Sequence, residues 1–261
     1  MHSMESFFPF LHRLADVAAD AILPRFRAAI AVDNKLAAGF DPVTEADRGA
    51  ERAMRDLIRK TYPEHGIIGE EYGAESEDRS HVWILDPVDG TRAFICGLPL
   101  WGCLTGLLID GKPAAGMMSQ PYIGERFFGS AETGSFLARG GQTRPITVRA
   151  CAALDHAHIS TTDPNLFSEA ERPAFERLSA RARLTRYGYD CYAYAMVAMG
   201  GVDCVVESGL KPYDIAPLIP IIEGAGGAVT SWTGEPAAGG GRILALGDRR
   251  LKPEVEALLA T

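Results

Sequence analysis

The sequence has no C-x-x-C motif and no dense run of basic residues. Its five cysteines are an odd number, none of them forms a C-x-x-C pair, and a chain of 261 residues does not need disulfides for stability. This pattern favours buried free thiols in a reducing compartment. Lys and Arg total 26 against 34 Asp and Glu, for a net charge of −8. Nucleic acid and anionic membranes are therefore poor candidate partners.

Long apolar runs are missing as well. No uninterrupted apolar stretch approaches the ~20 residues of a membrane span, and the start of the chain lacks the pattern of a signal peptide. None of the six histidines has the spacing of metal ligands. With 47% hydrophobic and 23% charged residues, the chain can form a sizeable core. We expect a cytoplasmic protein with no membrane or nucleic-acid partner.

Two patterns along the chain predict two closely packed lobes. Residues 1–144 combine helices with short apolar runs and turn signals, which indicates an α+β lobe with a largely antiparallel sheet. Residues 145–261 alternate strands with helices, which is typical of an α/β lobe. We expect most metal ligands in the first lobe, and Asp214 with the substrate-selecting residues in the second.

Local signals predict several element boundaries. Apolar residues spaced three or four apart predict a helix over about 5–31. Thr44, with Asp47 three residues later, resembles a capping box that opens a second helix. Pro217 and Pro220 fall within another predicted helix and indicate a kink in it.

The strongest chemical signal is an apolar strand that ends in two carboxylates. Residues 83–91 read Trp-Ile-Leu-Asp-Pro-Val-Asp-Gly-Thr, with Asp86 and Asp89 three residues apart. The two carboxylates and the Val88 carbonyl oxygen are hard donors, which suit Mg²⁺ better than Zn²⁺. The alternative interpretation is an acidic turn that binds nothing.

Further residues extend this signal. Gly90 and Thr91 follow the second aspartate, and backbone N–H groups at a helix start favour a phosphate. Glu70 follows a short apolar run and Asp214 opens a predicted helix, although each alone also fits a solvated acid or a helix cap. All four carboxylates in one pocket would repel one another strongly. Two divalent cations about 3.5–4 Å apart would neutralise them and hold a phosphoryl group.

Several segments, in order and spacing, resemble the inositol monophosphatase superfamily over nearly the whole chain. They are residues 41–47 (Asp-Pro-Val-Thr-Glu-Ala-Asp), 69–71 (Gly-Glu-Glu), 86–91 (Asp-Pro-Val-Asp-Gly-Thr), 211–214 (Lys-Pro-Tyr-Asp) and 223–227 (Glu-Gly-Ala-Gly-Gly). The resemblance implies an α/β (α+β) fold, the layered αβαβα sandwich of the inositol monophosphatase and fructose-1,6-bisphosphatase-like proteins. It also implies a Mg²⁺-dependent phosphate monoester hydrolase with two or three ions per site, commonly a homodimer.

The resemblance further implies a role for each matching residue. The metal ligands would be Glu70, Asp86 and the Val88 carbonyl for one ion, and Asp86, Asp89 and Asp214 for the other. Glu70 and Thr91 would activate a metal-bound water that attacks phosphorus directly, without a covalent phosphoenzyme. Thr44 and Asp47 would support this network, and the amides of Gly90 and Thr91 would hold the phosphate oxygens.

Other segments are similar to the histidinol-phosphate phosphatase branch, which acts in histidine biosynthesis. They are residues 89–102, 186–194 and 209–214. After Gly-Thr this chain has Arg92, where the inositol branch usually continues Thr-Asn-Phe. Lys35 stands where the family's mobile loop carries a lysine.

Three residues are candidates for substrate selection. Asp190 and Glu207 are acids expected near the substrate, and they suit a protonated amine and an imidazole better than a neutral polyol. Asp190 also fits a helix N-cap, and Glu207 a solvated strand end. Arg92 either contacts a phosphate or carboxylate group of the substrate or pairs with a surface acid. Trp101 fits the core better than a stacking platform.

Alternative functions remain open at this point. Inositol-1-phosphate, adenosine bisphosphate and fructose bisphosphate are other substrates within the family. Haloacid-dehalogenase phosphatases carry D-x-D-G-T, but their two aspartates are two residues apart, whereas Asp86 and Asp89 are three apart. A non-catalytic metal- or phosphate-binding protein would not need Glu70 or Thr91, and both are present.

Overall fold

The computed structural model describes residues 4–28, 32–34 and 42–260, so Lys35 lies outside the described residues. Elements of the first part are α1 (Phe8–Ile22), β1 (Val32–Asn34), β2 (Pro42–Thr44), α2 (Glu45–Thr61), β3 (Gly66–Gly69), β4 (Gly73–Glu75), β5 (His81–Asp89), α3 (Thr91–Ile95), β6 (Gly102–Ile109), β7 (Lys112–Gln120), β8 (Glu125–Ser130), β9 (Gly134–Arg139) and β10 (Gln142–Ile146). Those of the second part are β11 (His158–Thr161), α4 (Arg172–Ser179), β12 (Leu184–Tyr187), α5 (Cys191–Met199), β13 (Cys204–Leu210), α6 (Pro212–Ile215), α7 (Ile219–Gly224), β14 (Ala228–Ser231), β15 (Gly241–Leu246) and α8 (Lys252–Leu259).

Helix α1 buries the apolar positions that its spacing predicts. Leu11, Leu14 and Ala18 are fully buried. The predicted extension of the helix beyond Ile22 is wrong for residues 23–28, because the α-helix ends at Ile22 and a short 3₁₀ turn containing Pro24 follows. Residues 29–31 of that prediction lie outside the described residues. Proline lacks the N–H that an α-helix needs and its ring obstructs the preceding turn.

Helix α2 begins with the predicted capping box. The Thr44 side-chain oxygen accepts a hydrogen bond from the Ala46 N–H (3.1 Å), and the Asp47 carboxylate accepts one from the Thr44 N–H (2.9 Å). These bonds satisfy N–H groups that have no partner within the helix. Met54 and Ile58 are fully buried on its inner face.

Turn chemistry explains two further features. Strands β6 and β7 form the predicted hairpin, in which Asp110 and Gly111 adopt φ values of 49° and 74°. The helix predicted around Pro217 and Pro220 is interrupted, since α6 ends at Ile215 and α7 begins at Ile219. The predicted kink is therefore a break between two short helices.

Two main sheets form the framework. The larger has eight strands in the order β10-β9-β8-β7-β6-β5-β3-β4, and its pairs are antiparallel except β3 with β5. The smaller has five strands in the order β12-β11-β13-β15-β14. In it β11 runs parallel to β12 and β13, and β15 is antiparallel to both neighbours.

Three apolar clusters show how the layers stack. The first joins α1 and α2 to the larger sheet, and the second places α5 and α7 between the two sheets. The third joins α4 and α8 to the opposite face of the smaller sheet. This order of layers confirms the predicted αβαβα sandwich. The division into lobes at residues 144 and 145 stays a prediction.

Cysteine burial and helix length bear on two other expectations. All five cysteines are free, but Cys96 is exposed, so the expectation of buried thiols is wrong for that residue. Among the described residues, every helix is too short or too polar to cross a bilayer.

Candidate metal-dependent active site

A β-bulge turns the two aspartates of β5 to the same side. Side chains three residues apart in a regular strand point to opposite faces of a sheet. In β5, however, Asp86 pairs with Leu104 and Asp89 pairs with Gly102, so the β5 side contains one residue more than β6. Such a bulge redirects the following side chain. It allows both carboxylates to face one cavity.

A third carboxylate joins them from the second part of the chain. Asp214 lies in α6, where its Oδ2 accepts a hydrogen bond from the Lys211 N–H (2.7 Å). One carboxylate oxygen from each of Asp86, Asp89 and Asp214 lies within 4.8 Å of the other two. Within the described part of the chain, Asp86 Oδ1 is buried without a hydrogen-bond partner.

Burial and mutual repulsion shift the pKa values of all three groups. Burial, followed by the charges of Glu70, Asp89 and Asp214, raises the pKa of Asp86 well above its usual range. Burial, followed by the charges of Asp190 and Asp214, does the same to the pKa of Asp89. Burial is also the main cause that raises the pKa of Asp214 to about 6.

This donor set fits a divalent cation. Converging carboxylate oxygens are the ligands that Mg²⁺ prefers, and a cation would pair with the buried Asp86 oxygen and relieve the repulsion. The fit supports the predicted metal-binding role of the cluster. The predicted metal and the number of ions stay predictions.

Magnesium is expected to stabilise the folded protein. A ligand that binds only the native state adds RT ln(1 + [L]/Kd), or about 2.7 kcal/mol at a concentration one hundred times Kd. Melting temperatures measured after chelation and then at increasing Mg²⁺ should rise, and the rise should shrink in Asp214→Asn. A melting temperature of the unaltered protein that does not change at any Mg²⁺ concentration in the titration would contradict the metal site.

Residues predicted to act on water and phosphate surround the cluster. The Thr91 hydroxyl donates a hydrogen bond to the Val88 carbonyl oxygen (3.0 Å), and the Glu70 N–H donates to the Leu85 carbonyl (3.2 Å). Gly90, at the start of α3, has a φ of 85°. A Cβ at this position would lie 3.1 Å from Asp190, Leu100 and Trp101 atoms, so glycine permits this close approach.

Thr44 and Asp47 lie behind the cavity rather than on its wall. The Thr44 hydroxyl donates to Asp47 Oδ2 (2.6 Å), and both residues are buried. Burial is the main cause that raises the pKa of Asp47, and the nearby charge of Glu70 contributes. The predicted supporting role of this pair stays a prediction.

Asp190 faces the cavity from the start of α5. It occupies the N-cap position, but its side chain makes no capping hydrogen bond. Its φ of 46° is unusual for a residue with a Cβ, and such strain is concentrated at functional sites. Burial raises the pKa of Asp190 to about 6, while the charge of the exposed Arg92 acts in the opposite direction.

Glu207 is held by a residue that the sequence did not indicate. Its Oε1 accepts hydrogen bonds from the Thr162 N–H (3.0 Å) and the Thr162 hydroxyl (2.7 Å). Glu207 is buried, with 9% of its surface exposed, so the interpretation as a solvated strand end is wrong. Burial also raises the pKa of Glu207 to about 7. Thr162 could have been found from its place directly after β11, because loops at the carboxyl ends of parallel strands commonly form binding sites.

One cavity of about 310 Å³ collects most of the predicted site. It is lined by Glu70, Asp86, Val88, Asp89, Gly90, Thr91, Arg92, Asp190, Glu207 and Asp214. Residues that sequence reasoning missed also line it, among them Thr162, Phe167, Tyr194 and Tyr213. Trp101 is fully buried in the apolar core, which agrees with its predicted core position.

The chain is similar to known proteins over almost its full length. Residues 3–260 match the inositol monophosphatase family. The chloroplastic bifunctional phosphatase IMPL2 of Arabidopsis thaliana is 44% identical over 224 residues, which cover 85% of this chain and 63% of that protein. The chain thus spans less than two thirds of that relative.

Two other proteins are similar over most of both chains. A histidinol-phosphatase from Chlorobaculum parvum is 36% identical over 194 residues, which cover 74% of this chain and 73% of that protein. The structure of an inositol monophosphatase from Zymomonas mobilis is 42% identical and superposes with a TM-score of 0.88, covering 99% of each chain.

Proposed function

This chain is a phosphatase of the inositol monophosphatase family, and from that premise we propose that it hydrolyses histidinol phosphate with Mg²⁺. The observation that carries the choice of substrate is a pair of acids, the partly buried Asp190 and the buried Glu207, beside the carboxylate cluster. Asp190 and Glu207 line the same cavity as Asp86 and Asp89. A leaving group with a protonated amine and an imidazole would pair with these acids through charge-assisted hydrogen bonds.

The proposed ion sites use the converging carboxylates. Glu70, Asp86 and the Val88 carbonyl would hold one ion, and Asp86, Asp89 and Asp214 would hold the other. When bound, Mg²⁺ neutralises these acids and the charge that develops on the phosphoryl oxygens.

The chain's own groups would position the reactants. Glu70 accepts a proton from the attacking water while the water oxygen bonds to phosphorus. The Thr91 hydroxyl, which donates a hydrogen bond to the Val88 carbonyl, helps to orient that water. The amides of Gly90 and Thr91 hold phosphoryl oxygens. The ester P–O bond breaks, and the leaving oxygen takes a proton from solvent.

A second candidate substrate is inositol 1-phosphate. It is favoured by the 42% identity with the Zymomonas mobilis inositol monophosphatase across 99% of both chains. Phosphate release with Mg²⁺ should be compared for histidinol phosphate, inositol 1-phosphate and adenosine 3′,5′-bisphosphate. A higher kcat/KM for inositol 1-phosphate than for histidinol phosphate would overturn the proposed substrate.

The double variant Asp190→Asn, Glu207→Gln tests how the substrate is selected. Each lost charge-assisted hydrogen bond costs about 1.5–3 kcal/mol. We expect kcat/KM to fall by about 10²-fold or more for histidinol phosphate, because its leaving group is cationic, and far less for p-nitrophenyl phosphate. Asp155→Asn, an exposed acid that does not line the cavity, is the control. Equal losses on both substrates would show that these acids do not recognise the cation.

A further inference from the structure

Helix α2 presents charged side chains to the segment that carries Glu70. Asp47, Glu51 and Arg55 are four residues apart, so they lie on one face of the helix. Their exposed fractions are 1%, 0% and 4%. Buried charges destabilise a protein unless they are paired and hydrogen-bonded. The hydrogen-bond and ion-pair partners of these side chains therefore indicate the role of this face of α2.

Glu51 holds the backbone immediately after Glu70. Its Oε2 accepts a hydrogen bond from the Glu71 N–H (2.8 Å), and its Oε1 accepts one from the Tyr72 N–H (3.2 Å). Oε1 also accepts from Arg55 Nε (2.7 Å). Both carboxylate oxygens of the fully buried Glu51 therefore accept hydrogen bonds.

Arg55 extends the contact along the same segment. Its guanidinium donates to the Gly73 carbonyl oxygen and lies 3.4 Å from a carboxylate oxygen of Glu75. The pair Glu51–Arg55 therefore contacts the backbone at residues 71–73 and the β4 side chain at 75.

The residue before Glu70 is also shaped by this pair. A Cβ on Gly69 would lie 2.0 Å from Glu51 Oε1 and 2.8 Å from an Arg55 guanidinium nitrogen. The absence of a side chain lets the strand approach the helix closely. With the Glu70 N–H bonded to the Leu85 carbonyl (3.2 Å), the backbone is fixed on both sides of Glu70.

We propose that Glu51 and Arg55 are positioning residues that aim the Glu70 carboxylate at the phosphatase site. Glu70 is close enough for its charge to act on Asp86, Asp47 and Asp214. The inference rests on the proposed role of Glu70 in accepting a proton from water. Neither Glu51 nor Arg55 lines the cavity, so both act through Glu70 and touch no substrate.

The test is a double-mutant cycle between Glu51→Gln and Glu70→Gln. Glu51→Gln replaces one carboxylate oxygen with an NH₂ group. Because this group would face the N–H of Glu71 or Tyr72, two donors would meet and the segment that carries Glu70 would be displaced. Displacements near 1 Å cost about 10²-fold in rate, so kcat should fall by about 10–10²-fold while KM changes less than about 3-fold. In the Glu70→Gln background the same change should lower kcat by less than about 2-fold, because residues that act as a unit are not additive.

Controls separate positioning from general loss of structure. Arg59→Gln, one turn further along α2, removes an exposed ion pair with Glu75 and should leave kcat unchanged. Circular dichroism melting identifies folded variants. If Glu51→Gln does not fold, Arg55→Lys, which keeps the charge but loses donors, enters the same cycle.

Each outcome has a distinct meaning. The positioning role would be overturned if Glu51→Gln lowered kcat by the same factor in the native and the Glu70→Gln backgrounds. It would also be overturned if a folded Glu51→Gln protein had a normal kcat. Failure of both Glu51→Gln and Arg55→Lys to fold would also overturn it, since the pair would then serve stability. Normal turnover by Glu70→Gln alone would instead overturn the proposed function of Glu70.

Discussion

Replacing Asp89 with asparagine is expected to lower kcat by about 10³-fold or more. Asp89 supplies one of three carboxylate oxygens that lie within 4.8 Å of one another. A metal site contributes several kcal/mol of charge stabilisation in the transition state, and each 1.36 kcal/mol is tenfold in rate. Removing one negative charge weakens the site, and added Mg²⁺ should restore little of the rate.

The fold should survive this change. The Asp89 Oδ1 accepts a hydrogen bond from the Cys191 N–H (2.9 Å), and the amide oxygen of asparagine can accept the same bond. In the metal-free protein the change also removes repulsion with Asp190 and Asp214, so the melting temperature after chelation should be equal or higher.

Steady-state kinetics over a Mg²⁺ titration measure the effect of Asp89→Asn. The exposed Asp155→Asn variant controls for the loss of an acid elsewhere. Near-normal turnover of Asp89→Asn at saturating Mg²⁺ would refute the assignment of Asp89 as a metal ligand.

The second large effect is expected for Glu70→Gln. Glutamine keeps the size of the side chain but cannot take up the proton of the attacking water. General base catalysis contributes about 10²–10⁴-fold, and the change also removes a charge beside Asp86. We therefore expect kcat to fall by about 10³-fold with little change in melting temperature.

Glu77→Gln is the matched control, because Glu77 is an exposed acid shortly after the same segment. Both variants should be assayed with histidinol phosphate and with p-nitrophenyl phosphate. The better leaving group of the aryl ester does not replace the base, so Glu70→Gln should be impaired on both substrates. A loss limited to one substrate would place Glu70 in substrate recognition instead.

Much of the local structure could be predicted from the sequence. The Thr44–Asp47 capping box, the Asp110–Gly111 turn and the interruption near Pro217 depend on residues that are neighbours in the chain. Their physical causes are local hydrogen bonds and backbone restrictions, which residue type alone specifies. The end of α1 is also encoded locally, because Pro24 lies in the 3₁₀ turn that follows Ile22.

The acids of the candidate site could be named from the sequence, but their arrangement could not. Motif spacing singled out Asp86, Asp89 and Asp214. Their convergence depends on a bulge in β5 and on the packing of α6 against that strand. A regular strand would have sent Asp86 and Asp89 to opposite faces.

Residue types and local spacing by themselves determined the family resemblance, the main element boundaries and the candidate ligands. The tertiary structure decided the rest: that Thr162 fixes Glu207, that Asp190 faces the cavity instead of capping its helix, and that Glu51 holds the segment of Glu70. These contacts join residues far apart in sequence. They arise because packing buries polar side chains, and buried polar groups must find partners wherever the fold brings them.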